Sequence, residues 1–85
     1  MTYAIEVLPA AERGLRQVHP EVRARIRGAF IKLAKDPRPP GARALTDRPG
    51  YLRIRVGDYR IIYTIEEKIL KVIVVRIGHR RDVYR

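Results

Sequence analysis

Residues 51–65 constrain the fold more than any other part of the chain. Tyr51-Leu52-Arg53-Ile54-Arg55-Val56 alternates strictly between two kinds of side chain, and after Gly57-Asp58 the chain returns as Tyr59-Arg60-Ile61-Ile62-Tyr63-Thr64-Ile65. A period of two describes a strand with one buried face. A two-residue connection with glycine first suits a tight hairpin. Such a hairpin is marginal by itself in water. Its apolar set, Leu52, Ile54 and Val56, must therefore meet a layer built from the rest of the chain.

That layer is legible upstream. Residues 20–35 place Val22, Ile26, Phe30 and Leu33 on one helical face, with Arg23, Arg25, Arg27, Lys32 and Lys35 over most of the remainder, read as a solvated face. Pro20 suits a first helical turn, and Asp36-Pro37 ends the helix. A shorter helix starts at Pro9, weakened by Gly14 at a cost of about 1 kcal/mol relative to alanine. His19-Pro20 joins the two into a helical hairpin, with His19 in a structural role. Residues 3–8 read as a first strand, and Tyr3 and Tyr63 as edge packing of the core. Residues 37–50, with four prolines and two glycines, read as an irregular loop. Glu66-Glu67-Lys68 turns, and residues 69–77 form a central strand apolar on both faces. The expected fold is α+β, in the order β-α-α-β-β-β. An antiparallel-dominated sheet carries the helical hairpin on one face, and residues 1–85 make a single domain.

Charge narrows the partners. Nineteen Lys+Arg stand against nine Asp+Glu, a net charge of +10, and fifteen of the nineteen cations are arginine. The guanidinium fork matches phosphate oxygens bidentately and stacks on rings. Nucleic acid is the first expected partner and an acidic protein the second. A chain of 85 residues buries only about 60% of its unfolded surface, so a site belongs in a shallow groove, without a cofactor. Cysteine is absent, and His19 and His79 lie far apart, so no thiolate or histidine metal site is expected. The start of the chain lacks signal-peptide character, and no apolar run approaches a membrane span. The expected location is cytoplasmic.

Alternation sets Tyr51, Arg53 and Arg55 on the face away from the helices, and Arg60 can join them from the neighbouring strand. Tyr59 fits either this surface or the core. After Gly78 the chain adds His79, Arg80, Arg81, Asp82, Tyr84 and Arg85. Cations interleaved with aromatic rings form a cradle for a nucleic-acid strand, holding phosphates and stacking on bases. Cutting RNA without a metal needs a base for the 2′-hydroxyl, charge stabilisation at phosphorus and an acid for the leaving oxygen. Arginine serves the second need and, holding its proton, neither of the others. His79 is either a proton-transfer group or a surface histidine. Tyr84 is the other titrating candidate.

The run from Tyr51 to Tyr63, followed by Gly78-His79-Arg80-Arg81-Asp82-Val83-Tyr84-Arg85, resembles the two signatures of the RelE/ParE toxin superfamily, the second in its RelE branch. The resemblance spans nearly the whole chain. It implies a RelE-like fold and the toxin of a toxin–antitoxin pair. It further implies a ribosome-dependent nuclease that cuts messenger RNA in the A site, against 16S rRNA, by 2′-hydroxyl attack. Arg53 and Arg55 would occupy positions where the best-known members carry basic residues, often lysine. Arg60 and Arg80 would hold the scissile phosphate, and Tyr84 would orient or stack on the substrate. Tyr51, Tyr59, Arg81 and Arg85 complete the expected RNA-binding set. The implied partner is a RelB-like antitoxin whose acidic segment folds over the basic face. Two other readings compete: a ParE-like toxin that inhibits DNA gyrase and cuts nothing, and a non-catalytic nucleic-acid-binding module. Arg60, Arg80 and Tyr84 favour the nuclease, because an inhibitor has no need of that cluster.

Overall fold

The helical hairpin and the meander meet as two layers in the computed structural model, which describes residues 2–79. Strand β1 (Ala4–Val7) leads into helix α1 (Pro9–Arg16) and helix α2 (Pro20–Lys35). Strands β2 (Arg43–Ala44), β3 (Tyr51–Val56), β4 (Tyr59–Glu66) and β5 (Lys71–His79) follow, with a short 3-10 turn at Glu67–Ile69. They form one sheet in the order β1-β5-β4-β3-β2.

The sheet is antiparallel-dominated, as expected, and two features add detail to it. β1 lies parallel to β5, with Ile5 opposite Val72 and Val7 opposite Val74. The helical hairpin returns the chain to the far edge, and the antiparallel steps that follow bring β5 back alongside β1 in the same direction. β5 is thus flanked on both sides, as its two-faced apolar run requires. The loop over residues 37–50 also contains β2, which pairs Arg43 with Arg53 and Ala44 with Leu52. Two residues are too few to show a period.

The core lies between the sheet and the helices. Ile54 and Val56 from β3, Ile61 and Tyr63 from β4, and Val72, Val74 and Ile77 from β5 meet Ala11, Leu15, Val18, Ile26 and Leu33. Leu52, Val22 and Phe30 pack at its margin. Val74 and Ile77 share a face although three residues apart, because the β4–β5 register shifts between Ile62 and Tyr63, leaving Val75 without an opposite residue. This bulge sends Arg76 to the other face.

Local chemistry explains the joints. Gly57 has φ +61°, which a tight hairpin with glycine first requires. His19 accepts the Glu21 amide at Nδ1, 3.2 Å away, and so caps α2, in keeping with its structural reading. Arg23 departs from the solvated-face reading of its helix. Its Nε donates to the Leu15 carbonyl at 3.2 Å, and its Nη2 to those of Arg16 and Val18 at 3.1 and 3.0 Å. The guanidinium fork thus bonds three carbonyls at and just after the end of α1, and ties α2 to the turn that joins the helices.

Tyr63 is not at the edge of the core but inside it, with 0% exposure. Its hydroxyl donates to the Pro37 carbonyl at 2.7 Å and pins the loop after α2 to the sheet. Nearby, Arg38 and the Tyr3 hydroxyl both donate to Glu67, each at 2.7 Å, and they hold its carboxyl below the usual range. Burial pushes the Tyr63 phenol up to about 12. Below pH 10 this phenol is protonated whether the chain is folded or not, and its full contribution is present. Above that, the unfolded chain loses the proton first, so stability falls as pH climbs toward 12. Two units correspond to a loss on the order of 2–3 kcal/mol. Urea unfolding at about pH 9 and about pH 11.5 should show this drop, and a clearly smaller one for Tyr63→Phe. Equal drops would place the alkaline sensitivity elsewhere.

Candidate nucleic-acid interface

The sheet face away from the helices is organised in rows by the strand register. One row runs Arg43, Arg53, Ile62, Arg76 across β2, β3, β4 and β5. The next places Arg55 opposite Arg60 and Arg60 opposite Gly78. A third places Tyr51 opposite Thr64 and Thr64 opposite Ile73. Directly opposed side chains start about 5 Å apart. Arg53, Arg55 and Arg60 therefore share one small area, and Tyr51 adjoins it. Arg55 is exposed, while Arg53 and Arg60 are half-buried. Glycine at position 78 puts no side chain beside Arg60 on β5. Ile62, 3% exposed and outside the main core cluster, gives the face an apolar floor between Arg53 and Arg76.

Among the described residues, Arg43 lies opposite Arg53 and Arg55 opposite Arg60, so positive charge is concentrated on this face. Phosphate is the natural complement, since each guanidinium can offer it two parallel hydrogen bonds.

His79 does not join this face. Its ring meets Tyr59 edge-on, with centroids 5.6 Å apart and planes at 82°. Tyr59 packs against the core, so the histidine leans toward the helix layer. There a cleft of about 390 Å³ opens between α1 and the end of β5, where Arg13 and Gln17 join His79 and Tyr59. Its wall is close because Gly14 seats α1 directly on the Ile77 carbonyl. Arg80, Arg81, Tyr84 and Arg85 lie outside the described residues. Arg43, Arg76, Arg13 and Gln17 were not singled out from the sequence. Arg43 sits in the proline-rich loop and Arg76 inside an apolar run, where only the break in alternation at Val74-Val75-Arg76 signals an outward turn. Arg13 and Gln17 carry no signal until α1 is docked.

Among the described residues, no three His, Cys, Asp or Glu side chains are grouped to hold a metal ion. No helix among them is long and apolar enough to cross a membrane.

Comparison with known proteins supplies the context for this surface. Residues 5–84 match the family described as the ParE toxin of the type II toxin–antitoxin system parDE. Toxin RelG of Mycobacterium tuberculosis is 30% identical over 86 residues, spanning 100% of this chain and 99% of the relative. The fold is similar to the crystal structure of a RelBE toxin–antitoxin complex from the same organism. There the TM-score is 0.81 at 28% identity, over 94% of this chain and 100% of the other. It is also similar to the archaeal RelE–RelB complex of Pyrococcus horikoshii, with a TM-score of 0.83 at 22% identity, over 96% and 99% of the two chains. Two helices against a five-stranded mixed sheet, in one shared arrangement, agree with a family match over nearly the whole length: the chain belongs to the RelE/ParE family and is a toxin of a type II toxin–antitoxin system.

Proposed function

We propose that this toxin is a ribosome-dependent RNA endonuclease that cuts messenger RNA by attack of a ribose 2′-hydroxyl, and that a RelB-like antitoxin with an acidic segment restrains it. The observation that carries this reading is the convergence of Arg53, Arg55 and Arg60 on one sheet face beside Tyr51. Attack of the 2′-oxygen forms a bond to phosphorus and builds negative charge on the non-bridging oxygens. The 5′-oxygen then departs and takes a proton. Fixed guanidinium groups aimed at that charge stabilise the transition state more than the ground state. Arg60 has the central position, between Arg55 on one side and the side-chain-free Gly78 on the other. Arg80 and Tyr84 complete the proposed site, as charge stabiliser and stacking ring, and Arg81 and Arg85 extend the phosphate contacts. A site that positions substrate but carries few titrating groups depends on its RNA being held in shape, which suits a message threaded through a ribosome.

Proton transfer is the open role, since guanidinium groups hold their protons. His79 would have to reach it around the strand end, past Gly78. Substituting His79→Gln should flatten the rate's dependence on pH near neutrality if the imidazole carries a proton. An unchanged profile would leave His79 as the packing partner of Tyr59.

The family model that matches is that of ParE, which favours one alternative: a gyrase inhibitor that cuts nothing. The two separate cleanly. Purified protein is added to a translating extract, and RNA ends are mapped with and without ribosomes. Cuts within codons, found only on translated message, are the expected result. Intact message together with inhibited gyrase supercoiling would replace the nuclease with the alternative. Binding that weakens steeply with salt, without either effect, would leave a nucleic-acid-binding module.

A further inference from the structure

The cleft between α1 and the end of β5 is separate from the arginine face, yet it adjoins that face across the end of the sheet. Gly78 lines the cleft and lies opposite Arg60, and Tyr59 of the cleft directly precedes Arg60 in β4. Glycine at position 78 places no side chain between the two. At about 390 Å³ the cleft falls within the range of sites that hold one small ligand.

Both walls are fixed. Tyr59 packs against the core and meets the His79 ring edge-on, with centroids 5.6 Å apart, so one wall is aromatic. The other is α1, seated through Gly14 on the Ile77 carbonyl. Arg13 and Gln17, one helical turn apart on α1, line the same hollow. Both are exposed, and Arg13 pairs with no carboxylate among the described residues. Among those residues no Asp or Glu lines the cleft.

These walls specify a flat ligand with a polar edge. Aromatic side chains stack on bases of any kind. The hydrogen-bonding pair is more selective: a guanidinium matches O6 and N7 of guanine, and a glutamine amide matches N6 and N7 of adenine, each by two hydrogen bonds. Pyrimidines offer neither pair. Gln17 also caps the C-terminal end of α1, and the negative end of a helix disfavours an anion deep in the cleft. A base with its phosphate outside therefore fits better than a bare phosphate. We propose that this cleft is a binding site for a purine nucleotide, its base held between the Tyr59–His79 pair and α1 and its edge read by Arg13 and Gln17. Two sources supply that ligand. One is RNA lying on the arginine face, whose strand turns past Gly78 and lays the base beside the cut in the cleft. This source rests on the nuclease reading above and makes the cleft a determinant of where the message is cut. The other is a free purine nucleotide, which does not need that reading.

The test titrates AMP, GMP, CMP and UMP into isotopically labelled toxin, in an Arg60→Ala background so that it can be produced. The purine nucleotides should shift the NMR signals of the Gly14, Gln17 and His79 amides and bind about fivefold or more tighter than the pyrimidines. Arg13→Ala combined with Gln17→Leu should weaken purine binding about tenfold or more and erase the preference. With Arg60 restored, mapped cuts separate the sources. If RNA fills the cleft, the double variant loses a purine bias beside the cut that the parent shows. If a free nucleotide fills it, cut positions stay the same, and excess AMP or GMP changes the parent's rate but not the variant's. Equal binding of all four nucleotides, shifts confined to the arginine face, or full purine binding by the double variant overturns the site and leaves the nuclease reading untouched. Binding that alters neither cut position nor rate is adventitious and also overturns it. Purine binding in the cleft of a toxin that cuts no message, but whose growth arrest the double substitution alters, overturns the nuclease reading and keeps the site.

Discussion

Arg60→Ala is expected to reduce message cleavage by about 10²–10³-fold, the usual cost of removing one fixed donor from an anionic transition state. Ribosome binding should change only a few-fold, because the chain keeps eighteen other cations and loses a single phosphate contact. The contrast between the two numbers is the informative part. A residue that only attracted RNA would lower both, and the salt dependence would flatten by about one unit without a specific loss of rate. Arg60→Lys sharpens the question. It keeps the charge and loses the fork, so partial activity would assign the work to charge, and none to geometry. Single-turnover cleavage on programmed ribosomes measures the rate, and co-sedimentation at several salt concentrations measures the binding. Cleavage by Arg60→Ala at the parental rate would remove Arg60 from the chemistry.

How much of this was readable before the fold was known depends on whether the determining contact is local. The bounds of α2 were readable because Pro20 and Asp36-Pro37 act on their own neighbours. The hairpin was readable because Gly57-Asp58 and the alternation around it are contiguous, and alternation alone put Arg53 and Arg55 on the face that Arg60 shares. What escaped was decided by partners distant in sequence. The parallel pairing of β1 with β5 joins positions nearly seventy residues apart. Arg23 looks like one more cation on a basic helix until the end of α1 and the turn after it bring three carbonyls to it. Tyr63 was misplaced at the edge because nothing in its own strand shows that Pro37 will offer a carbonyl inside the core. His79 follows the same rule: two arginines follow it in the chain, yet the strand pairing turns its ring toward Tyr59.

Gly14→Ala should destabilise the toxin by about 3 kcal/mol, although helix propensity alone predicts a gain of about 1 kcal/mol. The reason is the seat of α1 on β5. A Cβ at position 14 would overlap the Ile77 carbonyl oxygen and come within 3.0 Å of its carbon. Both partners are backbone, in a helix and in a central strand, so no side-chain rotation relieves the overlap and α1 must lift. Ala11 and Leu15, both buried on the same side of α1, would lift with it, as would the wall of the cleft beside His79. Gly28→Ala supplies the control within the same molecule. That substitution is chemically identical and also lies inside a helix, but it meets open space, so it should stabilise by about 0.5–1 kcal/mol. Urea unfolding of both variants in the Arg60→Ala background reads the two signs side by side. Opposite signs would establish that close packing at Gly14 and openness at Gly28 are both real features of the fold. A Gly14→Ala variant as stable as its parent would mean that α1 does not sit flush on β5, and the cleft beside His79 would lose its fixed wall.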